Sequence, residues 1–432
     1  MKKITSVILA AGKSSRFKAT KSKIFQDLAG TSIIEHVYKL AEKISGNDII
    51  FVCNNDNIVD LRKIFSKAKF VVQKNQSGTA DAILCAKKYI LNKNILILFG
   101  DVPLITSKSI KKLIINFDKN KSIGSMIAFK SNLPFGYGRV KIKNKFIESI
   151  VEETNATDSE RKINLCNSGV MLCNSKLLFQ HVAKISNRNI KKEKFLPDIF
   201  NIFYFNNIGF SYVICPEEEM LGINTINDFI RLDNIYQKKL ADKIISNGVI
   251  IKQPNTVRLS FDSRIQKGVI IEPFVHIKKG VSIKKNALIL SHSILEDCFI
   301  DVNSKIGPSA RIRPGSKIGQ NVKIGNYVEI KNSIIGNDTS ISHLSYIGDS
   351  ILGKNINIGA GTITCNYDGK KKSQTIIKDN VFIGSNCSLI APIKIGHNST
   401  IGAGSVVSKD IPSNHLALER AEIKILRKLN KK

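Results

Sequence analysis

Two patterns follow one another along the 432 residues, and they predict an α/β domain followed by a parallel β-helix. In the first half, short apolar runs alternate with stretches of helical apolar spacing, the signature of a parallel, doubly wound sheet. In the second half, an aliphatic residue returns at almost every sixth position, often followed by Gly, as in IGQNVKIGNYVEI. A six-residue period of this kind marks a coil of hexapeptide repeats.

The α/β elements read in order. Residues 4–11, ITSVILAA, form a buried strand, and GKSSR follows. The stretch FQDLAGTSIIEHVYKLAEKI has helical spacing throughout. A strand at NDIIFVCN, a helix at NIVDLRKIFSK, a strand at 70–73, a helix at 79–90 and a strand at NILILFG complete the alternation. In such sheets ligands sit beyond the carboxyl ends of the strands. Gly12 and Gly100 lie in turns at such ends. Gly12 lets backbone N–H groups face a phosphate, and Arg16 and Lys23 add positive charge. Asp101, in LFGDVP, ends a buried strand, where a carboxylate suits Mg²⁺ or merely caps a turn. NDFIRLDNIYQKKLADKIISNG, 227–248, reads as a helix that stops at Gly248, either the link between residues 1–226 and 249–432 or the last helix of the first domain.

The coil's beat falls on Ile265, Ile271, Ile277, Ile283 and Ile289, then on Ile294 after a step of five. Sixes continue from Ile300 to Ile330, and further fives lead to Ile335 and to Leu352. After Ile358 the next beat falls on Thr364, and the rhythm resumes only at Ile377. Stacked coils push insertions outward, often onto a binding face. The loop 364–376 carries Asn366, Tyr367, Asp368, Gly369 and three lysines, which suits a polar ligand or plain solvent. Arg313 and Lys331 are 18 apart, one turn of the coil, so they stack on one face and suit a sugar phosphate. His343 and Tyr346 follow. A lone His is usually structural.

Net charge is +31, from 66 Lys+Arg against 35 Asp+Glu. The basic residues are spread along the chain rather than gathered, which argues against nucleic acid as a partner. Eight cysteines form no CxxC pair, and no apolar run approaches the length of a membrane span. MKKITSVILAAG is too short in its apolar part for a signal peptide. These features point to reduced thiols and a cytoplasmic location.

The motifs LAAG…R…K, Q-x4-GT at 73–79, FGDVP, GYGR at 136–139, NSG at 167–169 and GIN at 222–224 occur in this order. Together with NINIGAGTITCNYDGKKK in the coil, they resemble the bacterial bifunctional family that joins an N-acetylglucosamine-1-phosphate uridyltransferase to a glucosamine-1-phosphate N-acetyltransferase. The resemblance runs to about residue 420. It implies a Rossmann-like nucleotidyltransferase domain followed by a left-handed parallel β-helix. The implied substrates are UTP, N-acetylglucosamine 1-phosphate, glucosamine 1-phosphate and acetyl-CoA, with Mg²⁺ as cofactor and a homotrimer as the assembly.

By the same resemblance, Leu9, Ala10, Ala11 and Gly12 line the phosphates and ribose, and Arg16 and Lys23 face the phosphates. Gln73, Gly78 and Thr79 read the uracil, and Phe99 and Gly100 lead to Asp101. Gly138, Glu152 and Asn167 hold the sugar, while Asp101 and Asn224 ligate Mg²⁺. His343 becomes the general base of acetyl transfer, with Arg313, Lys331, Tyr346 and Asn357 on glucosamine 1-phosphate. Ala360, Asn366, Tyr367, Ser385, Ala403 and Arg420 contact acetyl-CoA. Two departures stand out: GKSSR replaces the usual Gly-Thr before the Arg, and Ser22 stands where Pro is usual. An alternative is a single nucleotidyltransferase whose coil only regulates, against which the residues of the second site argue. A non-catalytic assembly subunit would need no metal-ligand pair, and a zinc enzyme would need a close histidine pair, which the coil lacks.

Overall fold

The computed structural model describes residues 3–120, 122–186, 193–420 and 422–426. The chain divides into two compact units, 1–235 and 236–432. The helix Ile226–Ser246 runs across the division.

In the first unit the central strand Ile4–Leu9 pairs in parallel with Ile49–Cys53 on one side and Asn94–Phe99 on the other. Lys69–Val72 extends the sheet in parallel beyond Ile49–Cys53. Successive residues of these strands alternate between faces. Ile8, Phe51, Leu96 and Leu98 enter one core with Leu40, Leu61 and Leu113 of three helices. Val7, Ile50, Ile95 and Ile97 enter the other with Ile83, Leu178 and Phe200. Helices therefore cover both faces, which leaves strand ends as the open positions for a ligand.

Two features depart from the sequence reading. The sheet is not wholly parallel: Leu165–Asn174 runs antiparallel to both Asn94–Phe99 and Gly124–Lys130. It also pairs through Cys166 and Arg139 with a hairpin of Arg139–Lys143 and Phe146–Val151. The expected long helix from Phe25 begins only at Ile33. Before it, Asp27–Leu28 and Thr31–Ser32 form a small hairpin turned by Ala29 (φ 53°) and Gly30 (φ 90°). Periodicity alone could not show that this turn breaks the helical spacing.

Among the described residues the second unit is a β-helix of three parallel sheets, with ten, nine and eight strands, in which every third strand joins the same sheet up to the last, Leu416–Ala417, which follows after two. Each strand contributes one inward side chain: Ile271, Ile289 and Ile306 in the first sheet, Ile277, Leu295 and Ile312 in the second, Ile283, Ile300 and Ile318 in the third. Along one corner, asparagines adopt the left-handed conformation and bond to one another, Asn380 Nδ2 to Asn398 Oδ1 at 3.0 Å and Asn398 Nδ2 to Asn414 Oδ1 at 3.0 Å.

The beat itself needs two corrections. Leu295, fully buried, is the inward residue of its strand rather than Ile294, so the first short step runs from 295 to 300. Thr364 keeps the beat: it is buried, paired with Leu389, and its Oγ1 accepts from Gly348 N at 2.8 Å. The projecting loop is thus 366–374, between the strands Ile363–Cys365 and Thr375–Ile377. Every short step, and this one long step, lies between the second and third sheets. A single corner absorbs all changes of length.

Ile312 is fully buried in the column. Ile312→Ala should lower the stability of the coil by about 2–5 kcal/mol. Lys317→Ala, on the outward face of the strand Ser316–Ile318, should stay within about 0.5 kcal/mol. Thermal unfolding followed by circular dichroism distinguishes the two.

Candidate functional sites

A cleft of about 450 Å³ opens at the carboxyl ends of the central strands, lined by Leu9, Ala10, Ala11, Gly12, Lys23, Gln73, Gly78, Thr79, Phe99 and Asp101. The sequence thus names ten of its walls. Buried amides shape it. Asn54 Nδ2 donates to Ala11 O at 3.1 Å and Asn57 Nδ2 to Ala10 O at 2.7 Å, which fixes the turn after the first strand. Gln73 Nε2 donates to Gly78 O and to Asp81 Oδ2, both at 3.0 Å. Gly78 (φ 110°) has no room for a side chain, because a Cβ would lie 2.4 Å from Lys194 O. Gly100 does not line the cleft; its Cβ would meet Ile34, so it serves packing. Gln76, which donates to Ala11 O at 2.8 Å, was missed by the motif comparison.

Lys23 Nζ bonds Asp101 Oδ2 and donates to Ile223 O at 2.6 Å, and Ile223 N donates back to Asp101 O at 3.1 Å. Arg16 Nη2 donates to Asn224 Oδ1 at 2.9 Å. The segment that carries Asn224 is therefore tied to Asp101, and each of the two oxygens is held by a cation. One carboxylate and one amide oxygen form a hard, all-oxygen donor set, which fits Mg²⁺ completed by substrate phosphates. Among the described residues no cluster of three His, Cys, Asp or Glu competes as a metal site. Ser22, which replaces the usual Pro, has φ −52°, within the range a Pro would impose, so the turn that aims Lys23 keeps its shape.

Gly138, Glu152 and Asn167 also come together. Asn167 N donates to Gly138 O at 2.9 Å, and a Cβ on Gly138 would lie 3.3 Å from Glu152 Oε1. Asn167 Oδ1 accepts from Gly169 N at 2.7 Å, and Gly169 packs so closely on Phe99 that a Cβ would lie 2.4 Å from its ring. Glu152 lines a second hollow of about 530 Å³ that shares Phe195 with the cleft.

In the β-helix, Arg313 directly follows the strand Arg311–Ile312 and Lys331 ends the next strand of the second sheet, Glu329–Lys331, and Arg313 N donates to Ile330 O at 2.8 Å. Tyr346 pairs with Glu329 on the next rung, and its hydroxyl leans over Gly348, where a Cβ would lie 2.5 Å away. Arg313 Nη1 reaches Glu329 Oε1 at 2.6 Å. The 366–374 loop folds back: Asn366 Nδ2 bonds Asp349, and the Lys372 head at hydrogen-bonding range and its charge, with Arg313 adding less, hold Lys331 below the usual lysine range. Lys372 completes a group of three cations that the sequence reading left out. Tyr367 is exposed, its hydroxyl donating to Gly369 O at 2.6 Å.

His343 stands on the corner before Tyr346. Its Nδ1 lies 2.8 Å from Asn326 Oδ1. An amide oxygen only accepts, so Nδ1 carries a proton and Nε2 is the nitrogen that can serve as a base. Asn326 lies one turn below His343 in register, a partner the coil's period could have named. Above His343, Gly361 N donates to His343 O at 3.2 Å, Asn386 N to Ala360 O at 2.7 Å and Gly404 N to Ser385 O at 2.8 Å, which stacks Ala360, Ser385 and Ala403 on one corner. The Arg420 guanidinium lies over Gly402, 3.5 Å from where its Cβ would be. Asn357 stands on the first sheet instead, between Ser340 and Phe382.

Residues 6–184 match the MobA-like NTP transferase domain family, 294–367 the GMPPB C-terminal domain, and 374–409 the bacterial transferase hexapeptide (six repeats). The chain is 37% identical over 429 residues to the "Bifunctional protein GlmU" of Bartonella quintana, covering 98% of this chain and 95% of that one. It is 38% identical over 422 residues to the protein of the same name from Bartonella bacilliformis, covering 96% and 94%. It is 38% identical over 444 residues to that of Francisella tularensis subsp. novicida, covering 97% and 96%. With both architectures present and the identity spanning nearly the whole length, the chain belongs to the family of bifunctional GlmU proteins.

Proposed function

We infer that this chain catalyses two steps in the synthesis of UDP-N-acetylglucosamine. It acetylates glucosamine 1-phosphate with acetyl-CoA, then transfers UMP from UTP to N-acetylglucosamine 1-phosphate with release of pyrophosphate. One observation carries the reading: each unit holds its own set of groups, the Asp101 cleft in the first, and in the second the cations Arg313 and Lys331 beyond the second sheet with His343 at the corner before it.

For acetyl transfer, Arg313, Lys331 and Lys372 hold the phosphate of glucosamine 1-phosphate, with Tyr346 beside it. The amine attacks the acetyl carbonyl, His343 Nε2 takes the amine proton, and the CoA thiolate departs. Asn326 keeps the imidazole in the tautomer that leaves Nε2 free. Ala360, Ser385 and Ala403 offer the narrow corner along which the CoA arm lies, with Asn366, Tyr367 and Arg420 at its sides. Asn357 serves the sugar from the neighbouring sheet.

For uridylyl transfer, Gln73, Gly78 and Thr79 bind the base, and Leu9 to Gly12 with Arg16 and Lys23 bind the ribose and phosphates. Gly138, Glu152 and Asn167 orient the sugar so that its phosphate oxygen faces the α-phosphorus of UTP. Asp101 and Asn224 would hold Mg²⁺, which neutralises charge on the transferring phosphoryl group when bound. With Mg²⁺ held there, Lys23 and Arg16, which rest on those two oxygens here, would be free to face the triphosphate.

Among the described residues no helix is long and apolar enough to cross a membrane. All eight cysteines are free thiols, which with nucleotide and acetyl-CoA substrates supports a cytoplasmic location. The half-exposed Ile334 and Ile351 stack in register on the outer face of the third sheet. This apolar stripe supports a homotrimer formed through the β-helix.

Three outcomes test these assignments. Asp101→Ala, or chelation of Mg²⁺, should abolish pyrophosphate release and leave production of free CoA thiol unchanged; loss of both activities in a folded protein would refute separate sites. His343→Ala should cut acetyl transfer by roughly 10²–10⁴-fold without weakening glucosamine 1-phosphate binding measured by calorimetry, and uridylyl transfer should not change. Light scattering at micromolar concentration should give three times the chain mass, and Ile334→Glu combined with Ile351→Glu should reduce it to the monomer's.

A further inference from the structure

Beside the sugar side of the cleft lies a charged pair for which neither reaction has a use. Arg139 is 2% exposed, among the largest fully buried side chains of the protein. Its Nη2 meets Glu153 Oε2 at 2.6 Å, its Nη1 bonds Tyr137 O, and its Nε has no partner. Gly136 N donates to the same Glu153 oxygen at 3.2 Å, and Arg161 approaches the other at 4.0 Å. The hydrogen bond from Arg139, more than any other influence, holds the Glu153 carboxyl below the usual range.

An ion pair with one partner buried and the other, Glu153, about one-fifth exposed is a poor device for stability, because desolvation of the guanidinium offsets its attraction and an apolar pair of similar volume often does as well. Its value here lies in what it joins. Gly138 is flanked by Tyr137 and Arg139, and Glu152 is followed by Glu153, so the guanidinium grips a neighbour of each. The backbone of Arg139 also pairs with Cys166 in the main sheet and with Val151 in the hairpin. One residue therefore sets where the hairpin meets the sheet, how the 136–137 turn is held, and where the chain stands as it leaves Glu152. The planar fork is needed for this, since a lysine head presents a single point and cannot hold a carbonyl and a carboxylate in fixed directions.

We propose that Arg139, through its pair with Glu153, is a positioning residue that fixes Gly138 and Glu152 against the hexosamine phosphate. This rests on the reading of Gly138, Glu152 and Asn167 as the sugar contacts. Arg139 touches no substrate; its effect is on geometry at the sugar and not at the nucleotide.

The test compares steady-state kinetics of uridylyl transfer and thermal melting for Arg139→Lys, Glu153→Gln and the double apolar variant Arg139→Met with Glu153→Leu, using acetyl transfer by the same chains as a control of folding. Misplacement of about 1 Å can cost on the order of 10²-fold, so KM for N-acetylglucosamine 1-phosphate should rise by roughly 10-fold or more in all three variants, while KM for UTP stays within about 2-fold. The double variant should melt near the parent and still show the raised sugar KM, which a purely structural pair would not produce. A double variant with parental melting and parental sugar KM overturns the proposal, as do equal shifts in both KM values. Glu152→Ala separates the two levels. If it raises the sugar KM and the Arg139 variants do not, only the positioning role fails; if it leaves the sugar KM unchanged, the sugar-site reading fails and the proposal falls with it.

Discussion

The constraint on which the second half of the molecule depends is that no strand of the β-helix can bury its own apolar side chain. Most strands are two or three residues long and send one aliphatic residue inward. That residue leaves water only when the turns above and below it are in register. Register therefore cannot slip, and two corners of the coil keep a fixed length from Ile271 to Ile401. Freedom collects at the third corner, where steps shorten by one residue or lengthen by seven. The 366–374 loop grows at that corner, beside the ends of the strands that carry Arg313 and Lys331. The site follows from where the packing permits an insertion.

The first unit meets the same need differently. Its sheet is covered by helices on both faces, so strand interiors are committed to the core and only strand ends can take on chemistry. Leu9 and Phe99 end neighbouring parallel strands, and the residues after them, from Ala10 to Gly12 and at Asp101, are released at one edge. The antiparallel strand Leu165–Asn174 then adds a second wall. Its irregular register between Asn167 and Met171 bends the chain, and Gly169 sits there against Phe99. A purely parallel sheet would have no hairpin to bring Glu152 to this edge.

Much of this was legible in the sequence because it is periodic or local. Six-residue spacing specifies the coil and places Arg313 beneath Lys331, and alternation of strand and helix specifies the first unit and its strand-end turns. What stayed hidden depends on side-chain partners far apart in the chain. Thr364 does not look like a core residue until its hydroxyl is seen to pair with the Gly348 backbone, so the loop seemed longer than it is. Ile294 and Leu295 are equally apolar, and only the strand's register tells which one turns inward. Lys372 lies 41 positions beyond Lys331 and becomes its neighbour because the loop folds back on Asp349. Arg139 reads as an ordinary basic residue of a motif, and nothing local shows that it is buried.

The two sites share an electrostatic arrangement that the net charge of +31 only hints at. In the cleft, Lys23 and Arg16 are held by Asp101 and Asn224. On the coil, Arg313 is held by Glu329, while Lys372 stands close enough to Lys331 to hold the Lys331 ammonium below the usual lysine range. Like charges at hydrogen-bonding range repel, and a bound phosphate relieves that repulsion. The direction of the Lys331 shift then has a definite consequence. Below its lowered pKa the ammonium is charged and attracts phosphate; as pH rises through that pKa the charge and the attraction are lost together. In the cleft the arrangement is the opposite, because each cation already rests on an oxygen, Lys23 on Asp101 and Arg16 on Asn224. Where an acceptor oxygen holds the cation, as at Lys23, Arg16 and Arg313, the side chain stays ordered without an uncompensated charge, whereas Lys331 and Lys372 keep a repulsion that only an anion can relieve.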